Sequence, residues 1–310
     1  MKEAPIELPG ESRAPSGEVE IAYQDLGRPG DPPILLVPGL GTQMIYWDEI
    51  FCGMLTERGF RVIRMENRDT GCSTVLDETG KPGLAPMMLG LPRTLRYGLP
   101  EMADDAIAVL DHLGIEQAHL AGFSMGGMIV QTMAIRHPER VISMCSIMSR
   151  TGARRDAFPG LREVTTLLRN RPEDLDGFIA NVELLSRVIG SSTYPPDPER
   201  LRRLATLAWH RGIHRDGTAR QMHAVNCQSD RTAALGRLDI PTLVIHGAAD
   251  RLVFPRGGRA TAAAIPNSRL RIYEGMAHDL PEQLWPQFAA EVEANALRAT
   301  PAKPAPVAAD

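Results

Sequence analysis

The sequence has few cysteines, no long apolar run and no apolar N-terminal segment, and each of these absences excludes a class of protein. The four cysteines, Cys52, Cys72, Cys145 and Cys227, are scattered without paired spacing, which argues against a disulfide framework and against a CxxC redox or zinc motif. No segment approaches the roughly 20 apolar residues of a membrane-spanning helix, and residues 1–17 lack the apolar core of a signal peptide. We therefore expect a cytoplasmic protein that does not insert into a membrane.

Neither sign of charge dominates the composition. The 34 basic residues stand against 38 acidic ones, for a formal net charge of −4, so the chain has no large-scale attraction for nucleic acid or an anionic membrane. Its 310 residues, 43% of them hydrophobic, can bury the core of one large α/β domain, with or without an insertion. We expect a globular protein whose partner is a small molecule and not a nucleic acid, and the composition leaves a homodimer open.

A G-x-S-x-G motif occupies residues 122–126 and places Ser124 at its centre. In a nucleophile elbow, the serine lies in a strained turn with positive φ between a strand and a helix, and a Cβ at either glycine would collide with the backbone. The context fits this geometry, because a buried strand is predicted at 117–121 and helical periodicity runs over 125–137 up to Pro138. Ser124 is therefore the candidate nucleophile.

Strands and helices alternate through most of the chain. The first predicted strand alternates in polarity like a half-exposed antiparallel strand, whereas the second is a continuous apolar run typical of a buried parallel strand. This order predicts an α/β fold in which a mostly parallel sheet is covered by helices on both faces. The predicted strands are 19–23, 34–37, 61–65, 117–121, 141–148, 241–246 and 270–273, and the predicted helices among them are 45–57, 101–113, 125–137, 258–264 and 281–297.

The pattern changes over residues 151–235, where no strong strand is found. Helical stretches and a proline-rich break at 194–196 predict a helical cap inserted into a core made of residues 18–150 and 236–298. The helices predicted in this insertion are 161–169, 172–185, 200–209 and 219–227. Residues 1–17 and 299–310 are rich in proline and alanine and lack periodicity, so we expect flexible tails there.

A serine nucleophile needs a histidine to take its proton and a carboxylate to orient that histidine. His278 follows the last predicted strand and Asp250 follows the strand before it, so that the order serine, aspartate, histidine is the one expected for an elbow on such a sheet. The neighbouring strand end at 146–150 has no carboxylate. Asp279 ranks below Asp250, because adjacent side chains such as those of residues 278 and 279 diverge.

Hydrolysis also requires donors for the oxyanion of the tetrahedral intermediate. One predicted donor is the backbone N–H of Met125, directly after the nucleophile. The second is the N–H of Leu40, in the loop after the first buried strand, where Gly39 and Gly41 allow a tight bend. Gly39 and Met276, which flanks the predicted histidine, are also expected to contact the substrate.

A metal site is the main alternative use of the histidines. His210, His214, His223 and Cys227 have spacings of four residues, which put pairs of them on one helix face where they could hold zinc. Such spacings also arise freely on surface helices, and a serine triad needs no metal. We therefore predict no metal site.

Three further polar residues near strand ends are assigned structural roles. His246 ends a buried strand and is predicted to be a hydrogen-bonded core histidine. Arg68 and Asp69 could contact a substrate, but a salt bridge or turn hydrogen bond that holds their loop is the favoured interpretation.

Together these features resemble the α/β-hydrolase superfamily over residues 19–150 and 236–297. Within it, the segments 67–73 and 217–221 are similar to the esterase subgroup that includes aclacinomycin-type methylesterases. The resemblance implies an eight-stranded, mostly parallel sheet with a helical cap, and a carboxylic ester hydrolase without cofactor. In one departure, Pro38 precedes Gly39 where many relatives have histidine before this glycine.

The function predicted on this basis is hydrolysis of small to medium esters, short-chain or methyl, through an acyl-enzyme. A perhydrolase or haloperoxidase, a lactonase and a carbon–carbon bond hydrolase would use the same triad and stay open. Aspartate-nucleophile relatives are excluded because Ser124 holds the elbow position. A further alternative is a non-catalytic ligand-binding protein that retains a hydrolase shell.

Overall fold

A single eight-stranded sheet organises the protein. The structure is a computed structural model that describes residues 5–77, 80, 82–92, 95–154 and 172–299. The sheet order is β1-β2-β4-β3-β5-β6-β7-β8; β1 and β2 pair antiparallel with each other, β2 pairs antiparallel with β4, and all other pairs are parallel. The predicted α/β class with a mostly parallel sheet is confirmed. The strands are β1 Glu11–Ser16, β2 Val19–Leu26, β3 Pro33–Val37, β4 Arg61–Met65, β5 Ala118–Phe123, β6 Val141–Ile147, β7 Thr242–Gly247 and β8 Ser268–Tyr273.

Ten α-helices are found in the described part of the chain, together with short 3-10 turns at Met44–Tyr46, Pro138–Arg140 and Glu282–Leu284. None of these helices combines the length and the apolar character that crossing a membrane requires. The helices are α1 Glu49–Thr56, α2 Leu84–Leu89, α3 Leu99–His112, α4 Met125–Arg136, α5 Leu175–Ile189, α6 Pro198–Arg211, α7 Arg215–Asn226, α8 Thr232–Leu235, α9 Pro255–Ala264 and α10 Trp285–Ala296.

The sheet has an apolar core on each face. In β3, Leu35 and Val37 pack into one core with α3 and α4, whereas Ile34 and Leu36 pack into the other with α1 and α10. Successive side chains of a strand point to opposite faces, so a strand covered on both sides must be apolar throughout. This double burial explains the uninterrupted apolar run predicted to be a parallel strand.

Aspartate side chains determine where several helices begin. Asp48 accepts a hydrogen bond from the N–H of Ile50 at the start of α1, and Asp174 accepts one from the N–H of Gly177 at the start of α5. These bonds satisfy backbone N–H groups that a helix leaves free in its first turn. The predicted helix 45–57 is accordingly divided into a 3-10 turn and α1.

The prediction of a flexible tail through residue 17 is wrong for residues 11–16. This segment forms β1, pairs in register with β2, and buries Ala14 completely. Its sequence is polar and contains Pro15, which an edge strand tolerates because one side of that strand makes no ladder hydrogen bonds. Only pairing with β2 makes it a strand. Of the second predicted tail, residues 300–310 lie outside the described residues.

Helices α5 to α8 lie between β6 and β7. Three of them, α5, α6 and α7, cover the regions predicted to be helical at 172–185, 200–209 and 219–227, with ends shifted by up to four residues. The helix predicted at 161–169 lies outside the described residues.

Helix α7 is bound to the loop after β4 through a buried ion pair. Arg220 donates to both carboxylate oxygens of Asp69, at 2.6 and 2.8 Å, and Tyr97 Oη donates to the same carboxylate at 2.7 Å. Burial acts to raise the pKa of Asp69, but these hydrogen bonds and the Arg220 charge lower it below its usual value. Arg68 binds Asp105 in the same bidentate way. The predicted structural role of Arg68 and Asp69 is confirmed.

Candidate active site

Ser124 lies at the sharp turn between β5 and α4. Its backbone has φ 55° and ψ −120°, and its N–H donates to the carbonyl oxygen of Ile147 at 2.8 Å. A Cβ on Gly122 would lie 2.2 Å from the carbonyl oxygen of Gly126, and a Cβ on Gly126 would lie 2.1 Å from that of Val37. The elbow predicted from the motif is confirmed, and its glycines are required by close backbone approach.

Replacement of Gly126 by alanine should therefore destabilise the protein strongly. The new methyl group would overlap the backbone of β3, which cannot move without disturbing the sheet, and we expect the free energy of unfolding to fall by about 3 kcal/mol or more. Urea denaturation measures this change. Gly53→Ala is the matched control: this helical glycine has nothing within 4 Å of a new Cβ, so alanine should stabilise by about 0.5 to 1 kcal/mol. Similar effects of both substitutions would contradict the close approach.

The three residues predicted to act together lie in one hydrogen-bonded chain. His278 Nε2 is 3.0 Å from Ser124 Oγ, and His278 Nδ1 is 2.7 Å from Asp250 Oδ2. The Asp250 and His278 residues are only 1% and 6% exposed, whereas Ser124 is partly exposed. Ser124 thus meets two residues that are each more than 100 positions away in the sequence, at the carboxyl edge of the sheet, where β5, β7 and β8 end.

Asp250 is held as a carboxylate by its surroundings. One oxygen, Oδ1, accepts hydrogen bonds from the backbone N–H groups of Leu252 and Val253, both at 2.9 Å. Burial acts to raise the pKa of Asp250, but the charge of His278 and hydrogen bonds from His246 and His278 outweigh it, so that the pKa lies well below its usual range. The group therefore stays ionised at neutral pH.

His246 is buried, as predicted, and its Nε2 lies 2.7 Å from the carbonyl oxygen of Val253. The same nitrogen is 3.4 Å from Asp250 Oδ2, a contact that the sequence interpretation missed. The sequence feature that could have indicated this contact is the spacing of four residues between His246 and Asp250, across the end of β7.

The loop that carries His278 is bound to the end of α5 and to the segment that follows it. The N–H of His278 donates to the carbonyl oxygen of Ile189 at 2.9 Å, and the N–H of Ala277 donates to Ser191 Oγ at 2.7 Å. Asp279 accepts hydrogen bonds from both the N–H and the hydroxyl of Ser191. Asp279 is thus engaged with Ser191 and not with His278, in agreement with its lower ranking as the orienting acid.

The segments that carry the two predicted oxyanion donors adjoin Ser124. Met125 is the first residue of α4, so its N–H lies at the positive end of that helix dipole. A Cβ on Gly39 would lie 3.4 Å from Ser124 Cβ and 2.9 Å from Phe123 Cζ, which places the loop of Leu40 against the elbow. Within the described residues, neither the Leu40 N–H nor the Met125 N–H donates to an acceptor. Their action on an oxyanion stays a prediction.

Comparison with known proteins identifies the family of the chain. Residues 32–283 match the family described as alpha/beta hydrolase fold. The chain belongs to the α/β-hydrolase family. The rhodomycin D methylesterase of Streptomyces peucetius is 29% identical over 305 residues, covering 91% of this α/β-hydrolase and 97% of the relative. The bifunctional esterase/perhydrolase of Acinetobacter calcoaceticus is 26% identical over 278 residues, which cover 85% of this chain and 91% of the relative.

Structural comparison agrees with this assignment. The crystal structure of an enol-lactonase from Burkholderia xenovorans LB400 matches with a TM-score of 0.72 at 22% identity, covering 93% of this chain and all of that one. At that identity the likeness shows the fold alone. The predicted α/β-hydrolase fold and the predicted resemblance to anthracycline methylesterases are both confirmed.

Met276 lies fully buried in the apolar core of the α/β-hydrolase that also contains Phe123 and Met148. Its carbonyl oxygen accepts a hydrogen bond from the N–H of Ala249 at 2.9 Å. This bond joins the loop of His278 to the loop of Asp250. A contact of Met276 or Gly39 with substrate stays a prediction.

Two of the three histidines considered for zinc, His214 and His223, bind backbone groups. His214 Nε2 lies 2.9 Å from the carbonyl oxygen of Gly71, and His223 Nε2 lies 2.8 Å from that of Leu91. In the described part of the chain, a different set has ligand atoms within 4.8 Å of one another: Glu11, Glu66 and Cys72. The guanidinium of the fully buried Arg211 binds both of these carboxylates, at 2.6 and 2.7 Å, and so supplies the positive charge there.

Proposed function

We propose that the protein is a serine carboxylic ester hydrolase in which Ser124, His278 and Asp250 form the catalytic triad. The observation that carries this proposal is the continuous hydrogen-bonded chain from Ser124 Oγ through His278 to the ionised Asp250, at an elbow that presents the hydroxyl partly exposed. Membership of the α/β-hydrolase family and similarity to methylesterases support hydrolysis of an ester as the reaction.

The reaction begins when Ser124 Oγ attacks the ester carbonyl carbon and His278 Nε2 takes the hydroxyl proton. The resulting oxyanion accepts hydrogen bonds from the N–H groups of Leu40 and Met125. His278 then gives its proton to the leaving alcohol, which leaves an acyl group on Ser124. Throughout, Asp250 accepts a hydrogen bond from the Nδ1–H of His278, which keeps its proton, and the carboxylate stabilises the imidazolium form.

Water hydrolyses the acyl-enzyme in the second half-reaction. His278 Nε2 takes a proton from a water molecule, whose oxygen attacks the acyl carbon, and the same imidazole returns the proton to Ser124 Oγ as the acid leaves. Both half-reactions use only side chains and backbone N–H groups of this chain together with water.

The proposed substrates are small to medium esters with a short acyl chain or a methyl alcohol group, as the similarity to rhodomycin D methylesterases suggests. Purified protein should hydrolyse p-nitrophenyl butyrate faster than the corresponding palmitate, cleave a methyl ester faster than the butyl ester of the same acid, and be labelled by a fluorophosphonate. Ester binding without turnover or labelling would contradict the proposal and favour a ligand-binding protein.

A second candidate follows from the relative that is both an esterase and a perhydrolase. In that reaction, hydrogen peroxide replaces water in the attack on the acyl-enzyme, so that the products are a peracid and the free serine. Addition of hydrogen peroxide to an assay with a short-chain ester distinguishes the two, because only peracid formation would oxidise iodide at a rate that depends on both ester and enzyme.

A further inference from the structure

Helix α7 packs directly on the loop that is proposed to hold the oxyanion. Gly41 in this loop has φ +62°, and a Cβ there would lie 3.0 Å from Thr218 of α7. A Cβ on Gly217 would lie 2.5 Å from the carbonyl oxygen of Asp69. Both glycines therefore allow a backbone approach that a larger residue would prevent, and the Arg220–Asp69 ion pair holds α7 at this distance.

Gln221 of α7 is fully buried and joins this loop to the loop after β4. Its Oε1 accepts the N–H of Gly41 at 2.8 Å. Its Nε2 donates to the carbonyl oxygen of Arg68 and to Thr70 Oγ1, both at 2.7 Å. The amide is held on its nitrogen side by two acceptors, so its oxygen is presented to Gly41 in one orientation.

The contacts of three successive peptide groups determine the direction of the Leu40 N–H. The carbonyl oxygen of Pro38 accepts a hydrogen bond from Asn67 at 3.0 Å, and that of Gly39 accepts one from Thr42 Oγ1 at 3.0 Å. The peptide that follows Leu40 is held through its N–H by Gln221. Because a peptide group is planar and trans, anchoring the groups on both sides leaves the Leu40 N–H little freedom to rotate.

We infer that Gln221 is a positioning residue for the oxyanion site, through which helix α7 orients the Leu40 N–H toward the carbonyl attacked by Ser124. This inference rests on the proposed function. Of the three anchors, Asn67 and Thr42 belong to loops that follow central strands, whereas Gln221 belongs to the helical segment between β6 and β7. The segment predicted to be a helical cap thus supports the reaction step itself.

Gln221→Met tests this role, because methionine fills a similar volume but provides no comparable acceptor for the Gly41 N–H. We expect kcat for p-nitrophenyl butyrate to fall by about 10- to 100-fold, since displacing an oxyanion donor weakens only interactions made in the transition state. The KM should stay within about twofold for the same reason. Inhibition by a trifluoromethyl ketone, whose adduct with serine carries an oxyanion, should weaken by the same factor as kcat. Inhibition by the corresponding methyl ketone should not change.

Two further variants separate positioning from stability. Gln221→Glu keeps an acceptor for the Gly41 N–H but loses the two hydrogen bonds that Nε2 donates to the loop after β4, so it should recover only part of the lost kcat. If the methionine variant does not fold, Gln221→Leu takes its place, because leucine also removes the acceptor. Gln117→Met is the control, because Gln117 makes its hydrogen bond at the opposite end of the sheet, to the carbonyl oxygen of Glu139. Melting temperatures are measured for all three.

Several outcomes would overturn the inference. They are a normal kcat in Gln221→Met, a loss of kcat that trifluoromethyl ketone inhibition does not follow, and an equal loss in Gln221→Glu. Absence of ester turnover in the wild-type protein would instead overturn the proposed function, and the inference with it.

Discussion

Replacement of Ser124 by alanine is expected to lower kcat/KM for p-nitrophenyl butyrate by about 10⁴-fold or more. The side chain supplies both the attacking oxygen and the proton that His278 takes, at 3.0 Å, and within the described residues no other hydroxyl is hydrogen-bonded to the His278 imidazole. Residual activity should reflect only binding and the oxyanion donors. Stopped assays at high enzyme concentration measure the remaining rate, and fluorophosphonate labelling should disappear with it.

Ser149→Ala is the matched control for this experiment. Ser149, like Ser124, follows the end of a central strand, β6, but it is buried and its Oγ has no hydrogen-bond partner among the described residues. We expect this variant to retain wild-type kcat and labelling. If the Ser124→Ala protein kept more than about 1% of the activity, a role for Ser124 as nucleophile would be ruled out.

Replacement of Asp250 by asparagine should cost about 10³- to 10⁴-fold in kcat. The site determines how the new amide lies: the N–H groups of Leu252 and Val253 both point at Oδ1, so the amide oxygen must take that position. The NH₂ group then faces His278 Nδ1. Because His278 Nδ1 must now accept a hydrogen bond from this NH₂ group, the imidazole proton lies on Nε2. His278 can then no longer take the proton of Ser124.

The pH dependence of stability provides an independent check of Asp250. Its pKa is lowered in the folded protein, so its carboxylate stabilises the fold above the unfolded pKa of about 3.9, and this contribution is lost as the pH falls through the folded pKa. The difference in unfolding free energy between wild type and Asp250→Asn should therefore shrink on acidification below about pH 4. Chemical denaturation at several pH values measures it.

Asp279→Asn is the neighbouring control for the choice of acid. Asp279 binds Ser191, and its pKa is raised by burial although the hydrogen bonds from Ser191 oppose this. Its replacement should reduce kcat far less than that of Asp250. Equal losses in the two variants, or a larger loss in Asp279→Asn, would contradict the assignment of Asp250 as the acid that orients His278.

Much of the site follows from short-range features of the sequence. The elbow at Ser124 needs glycines two residues before and after it, and Asp250 and His278 each follow a strand that was predicted from the sequence. Each of these signals depends on residues close in the chain, because turn geometry and strand burial impose local residue preferences. The carboxyl ends of parallel strands lie at one edge of a sheet, so the strand order was enough to predict that the three residues meet.

Buried polar contacts were decided by the tertiary structure. Arg211 is a charged residue near the end of a helix, and nothing local indicates that it is fully buried between Glu11 and Glu66. The segment containing Glu11 has no apolar periodicity and becomes β1 only because β2 offers an edge to pair with. A buried polar group needs a partner but does not specify which one.

The sequence by itself therefore determined the alternation of strands and helices in the core from β2 onward, the elbow serine and the two residues expected to act with it, because these depend on local backbone geometry and on the periodicity of burial. Only the tertiary structure decided that Gln221 reaches Gly41, that His246 approaches Asp250 and that Asp279 turns to Ser191. Those pairings depend on the distance and orientation of elements far apart in the chain, and hydrogen-bonding groups on such elements find their partners only when the elements pack.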